Sequence, residues 1–142
     1  MDVSALVRRS WVEDAAMTRA LTAAGAGVIA SFCLEGGVLT GKYRSGGATG
    51  RAAGTLSDPR VAMAAAAAGE LAGLAAGLHT TAAGLALAFP LTNPAVTSVL
   101  FGATSAEQVR ANCAAVSLRD RLGTEDIAQL RDIGAQKDEE IR

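Results

Sequence analysis

Aromatic side chains make up only 4% of this 142-residue chain. That is too few for the stacking platforms that hold single-stranded nucleic acid. No basic stripe compensates, because 13 basic and 14 acidic residues leave a formal charge of -1; nucleic acid is therefore not expected as a partner. Cysteine is equally sparse. Cys33 and Cys113 form neither a disulfide framework nor a metal-ligand spacing, and they read as two reduced thiols of a cytoplasmic protein. The one histidine, His79, has no carboxylate at ligand spacing and reads as a helix-end residue rather than a base or a metal ligand. Long apolar runs are missing as well, apart from the alanine-rich stretch 61–78, which contains Glu70 and reads as a soluble helix. The first residues show charges without an apolar leader core directly after them, so no secretory signal is expected.

What is present is a globular balance, with 50% hydrophobic and 19% charged residues. Ser10-Trp11-Val12-Glu13 fits a capping box, with a helix expected to run to Ala24 on a stripe of Val12, Ala16, Leu21 and Ala24 and to stop at Gly25. Residues 27–32 read as a short buried strand. Seven glycines between Gly36 and Gly54 predict a long loop. Ser57-Asp58-Pro59 announces a helix to about Ala76, and Thr80 or Thr81 starts another that ends at Phe89-Pro90. Residues 96–101 form a second strand. Thr104-Ser105-Ala106-Glu107 is a second capping box, opening a helix to about Val116. A last helix fits 125–133, capped by Thr124 and closed by Gly134, before a charged tail at 136–142. Trp11 and Phe89 sit at core spacing and are expected to pack. Strands separated by helices pair in parallel, and two such strands cannot close both edges of a sheet. The pattern predicts an α/β piece of something larger.

Chemistry-bearing residues gather after each strand. A helix start at 102–108 offers free backbone N–H groups and a partial positive charge, which suits a phosphate; Gly102 permits close approach and Thr104 adds a hydroxyl. Gln108 and Asn112 lie one turn apart on one helix face. Lys42, in a glycine-rich loop, can present a point charge to an anion. The run Gly36-Gly37-Val38-Leu39-Thr40-Gly41-Lys42-Tyr43 nearly matches a nucleotide-triphosphate P-loop. Tyr43, however, replaces the hydroxyl residue that binds Mg²⁺, and Arg44-Ser45-Gly46-Gly47 cannot start the required helix.

Two segments carry a family likeness. Residues 27–43, with Ser31-Phe32-Cys33-Leu34 and then Gly37-Val38-Leu39-Thr40-Gly41-Lys42-Tyr43, resemble the seventh strand and following loop of aldo-keto reductases. Residues 99–112, with Gly102-Ala103-Thr104, Gln108-Val109 and Asn112, resemble that family's eighth strand and helix. The likeness is nearest to the branch of potassium-channel beta subunits and bacterial reductases. It implies the C-terminal part of a (β/α)8 TIM-type barrel, its last two strands with their helices, over residues 1–135. It implies NADP(H) as cofactor, with Phe32, Cys33, Leu34, Gly37, Lys42 and Arg51 on the pyrophosphate side. Gly102, Thr104, Gln108 and Asn112 then hold the adenosine and its 2′-phosphate.

The chain departs from that pattern at several positions. The family's nicotinamide-stacking aromatic falls at Ser31, its proline at Cys33, and a common acidic residue at Ala111. The family's catalytic Asp, Tyr, Lys and His belong to the first half of the barrel; neither Tyr43 nor His79 matches them, so no catalytic residue is assigned. An NADP-dependent reductase chain that supplies cofactor-binding segments, inactive alone, is the leading expectation. It needs the rest of the barrel before it acts on a carbonyl substrate, and its open strand edges invite self-association. A nucleotide-binding regulatory remnant or pseudoenzyme, and a degenerate frame with no independent fold, are the alternatives. Cys33 reads as a small buried apolar residue rather than a reactive thiol.

Overall fold

The computed structural model describes residues 10–43, 54 and 57–138. Its elements run α1 (Ser10–Glu13), α2 (Ala15–Ala24), β1 (Val28–Ala30), a 3-10 segment (Glu35–Thr40), α3 (Pro59–Gly77) and α4 (Ala82–Ala88). A short 3-10 turn (Pro90–Thr92), β2 (Val96–Val99), α5 (Ala106–Cys113), α6 (Ala115–Arg119) and α7 (Thr124–Asp138) follow. β1 and β2 pair in parallel, Val28 against Val96 and Ala30 against Val99, with an irregularity after Val28. The expected helix–strand order and parallel pairing are therefore found.

Helices cover one face of this two-stranded sheet. Val28, Ala30 and Val96 are buried on that side, whereas Ile29 and Leu100 remain 54% and 56% exposed. Parallel sheets are normally covered on both faces. This one leaves Ile29 and Leu100 exposed on its second face.

The core lies between the sheet and α3, α4, α6 and α7. On α3 the buried positions are Ala64, Ala67, Ala68, Leu71 and Ala75, a stripe at the helical repeat. Alanine there favours the helix and lets neighbours approach closely. α4 is buried all round from Gly84 to Ala88, as befits a helix packed against α3, α5, α6 and the 3-10 segment. Gly84 is needed for that packing: a Cβ would lie 3.1 Å from Thr80 Oγ1 and 3.4 Å from Leu118 Cδ2. An Arg131–Glu13 ion pair at 2.8 Å ties α7 to α1. Both side chains are partly exposed, so its contribution is about 1 kcal/mol at most.

Several boundaries differ from the sequence expectation, each for a local reason. The first helix breaks at Asp14, whose carboxylate accepts from the Met17 N–H at 2.8 Å and caps α2. Aspartate caps at least as well as Ser10, and it wins. Gly25 stops α2 in the left-handed region as expected, but Ala16 and Ala24 are exposed and Leu21 only half-buried. Of that stripe only Val12 is core. The strands are shorter than expected. The long loop opens with six residues of 3-10 structure, and the rest of it, 44–53, lies outside the described residues.

The second capping box is shifted by one. Ser105, not Thr104, is the cap, and its hydroxyl accepts from the Gln108 N–H. That helix is also interrupted at Ala114. Gly134 does not end α7, which continues to Asp138; a glycine inside a helix costs only about 1 kcal/mol. His79 is a helix-end residue as expected. It adopts a left-handed φ of 52° while the Thr80 N–H donates to the Ala75 carbonyl, the arrangement that closes α3. Phe89 is buried as expected, and the Trp11 side chain lies outside the described residues.

Candidate functional site

The site is built where both strands end. The Leu100 N–H donates to the Ala30 carbonyl at 2.8 Å, so the segments leaving β1 and β2 emerge side by side at one rim of the sheet. Ligand sites in parallel α/β folds lie at such C-terminal strand ends.

Beyond β1 the backbone turns sharply. Phe32 and Glu35 take left-handed φ values of 61° and 47°, and Gly36 and Gly37 follow at 63° and 93°. The turn is held from below by Val38 and Leu39, which are fully enclosed, and by Tyr43. It is held from within by the Gly37 N–H to the Leu34 carbonyl at 2.8 Å and the Thr40 hydroxyl to the Gly37 carbonyl at 2.7 Å. Lys42 is exposed, but its stem folds back. The ammonium lies 5.0 Å from the Tyr43 ring centre, and a Cβ on Gly37 would sit 3.0 Å from Nζ. The lysine charge thus lies close over the Gly37 backbone, where a side chain at Gly37 would displace it.

Beyond β2, residues 101–103 are irregular and exposed or half-buried, and Gly102 has open space where a Cβ would be. The Thr104 N–H and hydroxyl both donate to Gln108 Oε1, at 2.9 and 3.2 Å. Gln108 therefore occupies the helix start that sequence reasoning assigned to an anion. A phosphate oxygen would take its place as the acceptor. Asn112 is half-buried one turn further along. Donors predominate in this set: an ammonium, a hydroxyl, backbone N–H groups and carboxamides. Its chemistry suits a phosphorylated ligand.

Of the ten sequence-predicted residues, nine are described, and they fall into two groups at the same rim. Phe32, Cys33, Leu34, Gly37 and Lys42 follow β1, while Gly102, Thr104, Gln108 and Asn112 follow β2. Arg51 lies outside the described residues. Cys33 is 1% exposed and points away from solvent. Burial pushes its thiol from 9.0 up to about 11; the Glu35 charge adds to the rise and a backbone hydrogen bond opposes it. The expected small buried residue is what is found.

At pH 8 a thiol reagent is expected to modify Cys113, which is exposed, and to reach Cys33 only on unfolding. Because the native Cys33 pKa lies above its unfolded value, its contribution to stability is complete below about pH 9. That contribution is lost as pH rises toward 11. Cys33→Ala should flatten that part of a stability–pH curve measured by urea denaturation.

Ser105 as the cap of α5 and the left-handed backbone of Phe32 were missed by sequence reasoning. A serine two before a glutamate and three before a glutamine was the available signal for the first. Among the described residues no three or more His, Cys, Asp or Glu side chains gather as a metal site. No single helix there is long and apolar enough to cross a membrane. A groove of about 650 Å³ lies elsewhere, between α3 and α7, lined by Glu70, Gly73, Leu78, Asp126, Asp132 and Ile133. It shares no residue with the strand-end site and is lined by carboxylates where that site offers donors.

No curated protein matches the chain. The family model of the aldo/keto reductase family matches residues 2–135, nearly the whole length. The chain belongs to the aldo/keto reductase family.

Proposed function

We propose that this chain forms the NADP(H)-holding part of an aldo-keto reductase barrel and does not reduce carbonyl compounds by itself. The observation that carries the reading is the emergence, at one sheet rim, of the segment that carries Gly37 and Lys42 and the segment that opens with Thr104 and Gln108. Lys42 and the glycine backbone neutralise the pyrophosphate. Thr104 and Gln108 hold the adenosine phosphate, with Asn112 one turn behind. When bound, the cofactor supplies a hydride for an aldehyde or ketone. Among the described residues, Tyr43 is buried beneath the loop and His79 closes α3 at another point of the fold, so neither is placed to donate the matching proton.

The bare sheet face supports the second half of the reading. Ile29 and Leu100 belong on the inside of a closed barrel, which takes about eight strands. Further strands pairing on β1 and β2 would cover them, and until then the same edges favour self-association. The run Thr40-Gly41-Lys42-Tyr43 is what supports the branch of channel beta subunits and bacterial reductases.

NADPH titration followed by cofactor fluorescence is expected to show saturable binding, with no oxidation of NADPH when a simple aldehyde is added. Absence of binding up to millimolar NADPH removes the cofactor half of this reading. Turnover with the aldehyde removes the other half.

A further inference from the structure

The groove between α3 and α7 has features that the fold of a single copy does not use. Gly73 and Gly77, one helical turn apart on α3, open onto it beside Leu74 and Ile133, with Asp126 and Asp132 on the α7 side. A Cβ at either glycine would meet nothing within 4 Å, so packing inside the chain requires neither. Gly77 ends α3, where glycine is common; Gly73 lies inside the helix, where only proline is a poorer choice. A glycine there leaves a flat ledge on which a neighbour's side chains can reach the helix backbone. Asp126 Oδ2 already accepts from the Gly123 N–H at 2.8 Å, whereas Asp132 has no ion-pair partner among the described residues.

A ridge of complementary shape and charge lies on the same chain. No residue of α5 is buried, and Val109 on it and Val116 on α6 stand 44% and 53% exposed. The Ala114 N–H donates to the Arg110 carbonyl and the Leu118 N–H to the Ala114 carbonyl, so helical bonding carries across the break between the two helices. The valines are therefore two turns apart, about 11 Å, and the groove follows α3 from Glu70 to Leu78, about 12 Å. Arg110, beside Val109, is exposed and has no ion-pair partner among the described residues, while the groove is lined by carboxylates and by no cation. We infer that the α3–α7 groove receives the α5–α6 ridge of a second copy of this chain, with the valines on the glycine ledge and Arg110 paired with Asp132. Ridge and groove are different surfaces, so each copy gives one and receives the other, and the contact is head-to-tail. It leaves both strand edges open and does not depend on bound cofactor, which separates it from the strand-edge association above.

Sedimentation velocity of the full chain, from about 1 μM to about 1 mM, tests this. Wild type is expected to gain mass with concentration. Gly73→Leu fills the ledge and should weaken association about tenfold or more, yet melt no lower than wild type because leucine is the better helix former. Val109→Lys should weaken it as much. Arg110→Glu and Asp132→Arg should each weaken it about fivefold, and the R110E/D132R double variant should recover it. A monomer at every concentration, wild-type association by Gly73→Leu or Val109→Lys, or a double variant weaker than both single ones would overturn the inference. So would a clear fall in the Gly73→Leu melting temperature, which would mean that the fold itself needs the glycine. Association lost only in Ile29→Lys would overturn it too, by placing the contact on the open sheet face.

Discussion

Leu85→Ala should leave the chain at the edge of folding. Leu85 is fully enclosed on α4, the helix that meets α3, α5, α6 and the 3-10 segment beneath the Lys42 loop. Its truncation removes transfer free energy and opens a cavity that several elements must collapse to fill, at about 2–5 kcal/mol. Domains have about 5–15 kcal/mol in total, and a two-stranded sheet with one bare face argues for the low end here. Urea denaturation should show a midpoint near zero denaturant or a broad, non-cooperative transition. Leu85→Met conserves volume and should cost less than about 1.5 kcal/mol. A Leu85→Ala midpoint within about 1 kcal/mol of wild type would mean that α4 is not the centre of the core.

Gly37→Val should damage fold and site together. Gly37 sits at φ 93°, and its missing Cβ would meet Lys42 Nζ at 3.0 Å and Cε at 3.1 Å. The two penalties are unequal. Lys42 is exposed and flexible, so its ammonium swings away cheaply. The backbone cannot follow, and a β-branched residue forced left-handed costs about 2–3 kcal/mol. Affinity for NADPH should fall roughly 10–100-fold as the charged contact is lost. Lys42→Met separates the two effects, with a similar loss of affinity at nearly unchanged stability. If Gly37→Val melts like wild type, the turn adapts more readily than its geometry implies.

The parts of this fold that were legible beforehand are those written in local chemistry. Pro59 at the first turn of α3, Thr81 at the cap of α4 and left-handed Gly25 after α2 each fix a boundary through one or two residues. The candidate site was read from a likeness of spacing; Gly37 and Lys42 follow β1, Thr104 and Gln108 follow β2, and the pairing of the two strands brings those strand ends to one rim. What escaped reading was competition between neighbours of similar rank. Asp14 displaced Ser10 as a cap, Ser105 displaced Thr104, and Gln108 rather than Glu107 reached back. The left-handed backbone of Phe32 escaped for a different reason: nothing in the local sequence forbids an extended phenylalanine there, and φ 61° has no sequence signal.

The pairing of β1 with β2 also has a consequence for the protein as it leaves the ribosome. Thr97 and Val28, joined by a 3.2 Å hydrogen bond, are 69 positions apart. At about 5–20 residues per second, β1 emerges roughly 3–14 s before its partner strand exists. Helix–coil relaxation takes about a microsecond, so α3 and α4 have ample time to form in that interval. Throughout it, the edge of Val28 and Ile29 that β2 will cover remains open, the kind of segment that chaperones are there to shield.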